Sequence, residues 1–140
     1  MDFVPDRQFD AVVSGMMMHL VEDFGKVAQS AHRTLDAGGS FLFSQRHPLR
    51  TSNPCGDNKS LNSPSWAVSD YFRTGRRDYE WLDTSVMCFH RSIEEILGTL
   101  LNLGFSVVEV AEPQPAMPLA SRRISENLSS PSVLLVHVRK

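Results

Sequence analysis

The residues best placed to do chemistry gather just after two short apolar runs. The first run, Phe9, Ala11, Val12 and Val13, stops at Ser14-Gly15, followed by Met16 and His19. The second, Phe41-Leu42-Phe43, is followed by Arg46, His47 and Pro48. An imidazole titrates near neutral pH, so His47 is a candidate base; the alternative is a loop histidine that only hydrogen-bonds. Tyr71 is the other candidate catalytic residue. With Phe72, Tyr79 and Trp81 it can wall an apolar pocket, or form the small core of a covering segment. His90-Arg91 precedes a helix start, where an anion can be held. No histidine–carboxylate cluster has metal-ligand spacing, and no Ser/His/Asp or Cys/His set stands out.

The elements that must position these residues read as strand–helix–strand. The run Phe9–Val13 is expected to be a strand buried on both faces, as in parallel sheets. Asp23 can cap a helix whose apolar residues, Phe24, Val27, Ala28, Ala31 and Leu35, share one face. Gly38-Gly39 is expected to end it before a strand over Phe41–Phe43. In the plainer of two readings Ser14-Gly15 is only the turn that ends the strand, and Met16 to Met18 pack as core. Parallel strands joined by a helix cross over right-handed, and ligands collect at the carboxyl ends of such strands.

Further along, RHPLRTSNPCGDNKSLNSPS reads as loop, and the aromatic stretch after it as a short strand pair or irregular lid, together a lid-like insertion over 46–91. Ser92-Ile93-Glu94-Glu95 has the form of a capping box opening a helix to about Leu103, closed by Gly104. Strands are expected over Phe105–Val110 and Val133–Val138, with a loop from Gln114 to Pro131. The pairs Arg76-Arg77 and Arg122-Arg123 are read as solvated, and His32 as surface.

The ordered series FDAVVSG, HRTLDAGGSFLFS, RHPL, HRSIEEILGTLLNLGF, VVEVAEPQP and PSVLLVHVRK resembles the second half of a class I S-adenosylmethionine-dependent methyltransferase of the small-molecule type. That resemblance implies an α/β fold: a partial Rossmann-like sheet of about four strands, three parallel and the last antiparallel, with helices mainly on one face. It sets the last strand between the second and third. It implies S-adenosylmethionine as cofactor, with Ser14, Gly15 and Met16 near the sulfonium and His19 close by, and a small-molecule acceptor beneath the lid. The family's glycine-rich turn, acidic-x-G-x-G-x-G, does not occur in the sequence. The expectation is therefore a single domain that is the carboxyl-terminal half of the fold, incomplete or inactive alone. The alternatives are a non-catalytic assembly module and a dinucleotide-binding oxidoreductase fragment, the latter opposed by the same missing glycines.

Composition narrows the partners. A formal net charge of −2 gives no electrostatic reason to expect nucleic acid or an anionic membrane. No apolar run is long enough to span a bilayer, and MDFVPDRQFD lacks the regions of a signal peptide, so the cytoplasm is expected. Cys55 and Cys88 have no CxxC spacing and are read as reduced bystanders. With both helices on one face, the other face and the Phe9–Val13 edge are expected to lie open, which points to a homodimer through that edge or face.

Overall fold

The computed structural model describes residues 7–52, 68, 70–81, 84–114 and 130–140. The chain opens with β1 (Phe9–Ser14), a 3₁₀ turn (Met18–Leu20) and α1 (Phe24–Thr34). It continues through β2 (Leu35–Arg46), the short α2 (Pro48–Thr51), β3 (Gly75–Trp81) and β4 (Thr84–His90). Then follow α3 (Ile93–Asn102), β5 (Ser106–Ala111) and β6 (Val133–Arg139).

Four strands form a sheet in the order β1-β2-β6-β5, and β3-β4 form an antiparallel pair of their own. β1 runs parallel to β2, with Val12 opposite Phe41 and Val13 opposite Leu42. β6 lies antiparallel to both β2 and β5, so β1, β2 and β5 share one direction and only the last strand opposes them. That is the pattern the resemblance implied, with β6 seated between the second and third strands.

Both main helices pack on one face. Phe24, Ala28 and Ala31 of α1 and Ile96 and Leu100 of α3 meet Phe41 and Phe43 of β2 and Leu134, Val136 and Val138 of β6 in one core. The rings interlock: Phe24 stands edge-on to Phe43 at 5.7 Å, and Phe41 lies 5.1 Å from Phe43 and 6.0 Å from Phe105. The helix starts follow the sequence. Asp23 accepts from the Lys26 N–H at 2.9 Å, and Ser92 Oγ accepts from the Glu95 N–H at 3.1 Å. Lys26's backbone N–H also holds the Asp23 carboxyl below its usual range.

Several expectations are corrected. β1 is not buried on both faces; Val13 is 74% exposed, because β1 is the edge strand and no described element covers its outer face. Gly38-Gly39 lies inside β2 rather than between helix and strand. Leu35 caps α1 and begins β2 at once, and Gly38 takes a φ of +79° while its N–H reaches the Lys140 carbonyl. At Gly39 a Cβ would stand 3.0 Å from the Asp36 carbonyl and 3.2 Å from that of Asp10, so the backbone approach needs glycine. Met18 is core, but Met16 and Met17 are 43% and 46% exposed. Pro48–Thr51, read as loop, is a helical turn, with proline in its first turn where no N–H is missed. The second half of the insertion is a strand pair, as one of the two readings had it. Residues 53–67, Arg122 and Arg123 fall outside the described residues, as do the side chains of Tyr79 and Trp81.

The packing gives a direct test. Leu100→Ala should cost about 2–5 kcal/mol in urea unfolding, since Leu100 is fully buried between α1 and the sheet. Its neighbour Leu101, 55% exposed, should cost within about 0.5 kcal/mol. Equal losses at the two positions would contradict the assigned helix face.

Candidate functional site

β1 and β2 run the same way, so their carboxyl ends open on one edge of the sheet, and β5 ends there too. That edge brings together Ser14, Gly15, Met16 and His19 with Ser44, Arg46 and His47. The turn leaving β1 is strained. Met16 has a φ of +49°, a region a methionine rarely occupies, and its N–H is held by Ser44 Oγ at 2.9 Å. Such outliers persist only where the surroundings enforce them, and they cluster at functional sites. A groove of about 300 Å³ starts at this turn, lined by Val13, Ser14, Gly15, Leu42, Ser44 and Leu135, and continues to Glu109, Ala111 and His137.

His19 is buried beneath the turn, and its Nδ1 accepts from the Arg46 N–H at 3.4 Å, which leaves the proton on Nε2. Burial, aided by the nearby Arg46 charge, lowers its pKa to about 4, so the ring is neutral at pH 7.

Arg91 fixes the same turn from the other side. Its guanidinium, buried with 8% exposure, donates to the carbonyls of Met18 at 3.4 Å, Val21 at 2.5 Å and Glu22 at 2.6 Å. It also lies between the rings of Phe24 (5.6 Å) and Phe89 (5.9 Å). His90 beside it is wholly buried, and its Nε2 donates to the Tyr71 carbonyl at 2.8 Å. Burial lowers the His90 pKa, so Nδ1 is the acceptor and the Thr51 hydroxyl donates to it across 2.8 Å. Tyr71 is half-buried; its hydroxyl accepts from the Ile93 N–H at 3.1 Å, which serves the first turn of α3. Tyr71 thus sits with α3 and His90 rather than with the Ser14–Met16 turn.

His47 is 1% exposed, and both its nitrogens are engaged. Nδ1 accepts from the Leu49 N–H at 3.1 Å, so Nε2 carries the proton and donates to Glu112 Oε1 at 2.8 Å. Burial lowers its pKa, against the opposing pull of the Glu112 carboxylate. As arranged, the imidazole has no vacant nitrogen with which to act as a base. Glu112, which follows directly on β5, was not singled out by sequence; a lone glutamate before a proline gives no local signal, and only the β2-β6-β5 order brings it to His47. Arg77, expected to be solvated, is buried and donates to the carbonyls of Ser52, Arg73 and Arg76. Among the described residues no group of three His, Cys, Asp or Glu side chains is arranged to hold a metal. No helix among them is long and apolar enough to cross a membrane.

Comparison with known proteins agrees with this geometry. Residues 2–43 match the family model described as a methyltransferase domain. The structure of an S-adenosylmethionine-dependent methyltransferase from Mesorhizobium loti aligns over 99% of this chain and 66% of its own, with 29% identity and a TM-score of 0.86. A Listeria monocytogenes structure described in the same terms aligns over 95% of this chain and 62% of its own, with 27% identity and a TM-score of 0.83. An uncharacterized Haemophilus influenzae protein is 25% identical over 98% of this chain. The chain spans 56% of that relative. Over the part of the fold that this chain spans, sequence and structure are similar to those of S-adenosylmethionine-dependent methyltransferases, a family whose cofactor is S-adenosylmethionine.

The lowered pKa of His19 sets a pH dependence. Its unfolded value is 6.5 and its folded value about 4, so above pH 6.5 the ring is neutral in both states. Between the two values the unfolded chain binds the extra proton, and stability falls as pH falls. His19→Gln should flatten the urea midpoint against pH over that window, by roughly 3 kcal/mol in all. An unchanged slope in the variant would contradict a neutral buried His19.

Proposed function

We propose that this chain forms part of the site of an S-adenosylmethionine-dependent methyltransferase that acts on a small-molecule acceptor. The observation that carries the reading is the strained Met16 turn at the carboxyl edge of the parallel β1–β2 pair, held by Ser44 and backed by neutral His19. These residues fit one wall of a cofactor site. Beside Gly15 a Cβ would meet nothing within 4 Å, the groove begins there, and the Met16 backbone is pinned. Ser14, Gly15, Met16 and His19 would hold the methionine part of the cofactor, and the cofactor supplies an activated methyl group when bound. The chain's own contribution is to align donor and acceptor and to exclude water, the main demands of such a transfer. Its sequence contains no glycine-rich turn for the remainder of the cofactor. In this reading, tight binding requires a segment that carries one.

S-Adenosylhomocysteine titrated into the purified chain tests whether one wall is enough. A chain that binds it should gain about 2.7 kcal/mol at 100 times the dissociation constant, read as a rise in Tm. No shift at millimolar ligand would remove the stand-alone enzyme and leave the requirement for a further segment.

A second reading rests on the exposed strand. Val13, Leu42 and Leu135 are 74%, 36% and 40% exposed on the uncovered face, and the β1 edge carries no lysine or proline to deter pairing. A non-catalytic assembly module would use this edge to pair with itself or with a chain that supplies the glycine-rich half. Light scattering at micromolar concentration should then give twice the monomer mass; a clean monomer counts against self-pairing.

A further inference from the structure

We propose that the His47–Glu112 pair is a subsite for an amine-bearing acceptor, in which the Glu112 carboxylate receives an ammonium group. The inference deepens the methyltransferase reading and rests on it for the transfer that follows. Three features carry it. First, Glu112 stands directly after β5, at the edge where β1 and β2 also end, and its side chain is 52% exposed, so one face of the carboxylate remains open to a ligand. Second, its partner is a buried imidazole whose tautomer is fixed: the Leu49 N–H occupies Nδ1, and the Nε2 proton points at Glu112 Oε1 across 2.8 Å. The carboxylate is thereby aimed before any ligand arrives. Third, the partner is neutral. Burial keeps the His47 ring uncharged, and among the described residues no lysine or arginine forms an ion pair with Glu112. Arg50, the cation that His47 senses, donates to the carbonyls of Ser130 and Pro131 and to the Ser132 hydroxyl.

A carboxylate oriented by a neutral donor keeps its negative charge for a cation. An ammonium group seated on it has an N–H directed at a carboxylate oxygen. His47 neither gains nor loses a proton; it keeps the carboxyl group in place.

The competing account is a plain tether between the end of β2 and the end of β5. Glu112→Gln separates the two, because the amide oxygen still accepts from His47 Nε2 while the charge is gone. The full chain, isotopically labelled, is titrated with n-butylammonium chloride, and in parallel with n-butanol, at constant ionic strength and without cofactor. The subsite predicts saturable shifts at the Glu112 carboxyl carbon and at His47 Nε2 with the ammonium. Binding should be roughly tenfold weaker or more for the alcohol and for E112Q. Equal binding by n-butanol, or by E112Q with an unchanged Tm, overturns the proposal. If E112Q does not fold, the unmutated chain still decides, since an ammonium that shifts other resonances while the Glu112 carboxyl carbon stays fixed overturns it as well. The titration contains no cofactor, so its outcome is separable from that of the S-adenosylhomocysteine experiment.

Discussion

The structure depends on the parallel pairing of β1 with β2. Parallel neighbours cannot be joined by a tight turn, so the chain must cross over through α1, and the crossover puts that helix on one face. The second crossover, through α3 to β5, lands on the same face and closes one core of Phe, Leu, Ile and Val. The consequence for function lies at the edge. Three strands of common direction end at the same edge of the sheet, so Ser14 shares that edge with His47 and Glu112, and the last two meet at 2.8 Å although 65 residues apart in sequence. β6 makes this possible by filling the gap between β2 and β5 in the opposite sense.

Keeping that crevice in shape falls to buried cations held by backbone. Arg91, just ahead of α3, has no carboxylate within ion-pair distance among the described residues; it satisfies its donors on three carbonyls of the segment that follows β1. Burying a guanidinium is expensive unless its hydrogen bonds are met, and here two aromatic faces and three carbonyls meet the cost. The same three carbonyls belong to the turn whose start is the strained Met16 and whose middle is His19. Arg91 is thus a positioning residue for that turn, coupling the α3 start to the β1 end. Arg50 plays the corresponding part between α2 and the entry to β6.

Much of the fold was legible because local rules and tertiary demands agree. The Asp23 and Ser92 caps, the apolar faces of α1 and α3, and the short strands around Phe41 and Val136 all follow from spacing and side-chain type. The errors arise where a neighbour overrides the local signal. A β-branched run reads as doubly buried wherever it sits in a sheet, and nothing in Phe9–Val13 marks it as an edge. Gly38-Gly39 reads as a helix stop, yet it serves a strand that must pass close to Asp10 and bond to Lys140. Ser14 to Met16, His19 and His47 lie at the carboxyl ends of β1 and β2, where their place after two apolar runs put them. The place of Glu112 beside His47 was not legible, since the two are 65 residues apart. The roles of Tyr71 and Arg77 were likewise hidden, because what they touch is backbone.

The most direct measurement is an interstrand nuclear Overhauser map of the labelled chain. The account predicts a parallel pattern linking Val12 and Val13 to the residues flanking Phe41 and Leu42, together with antiparallel contacts between Leu42 and His137 and between Val110 and Val136. An antiparallel pattern between β1 and β2, or no contact between them, would contradict it, and with it the shared edge on which every functional assignment stands.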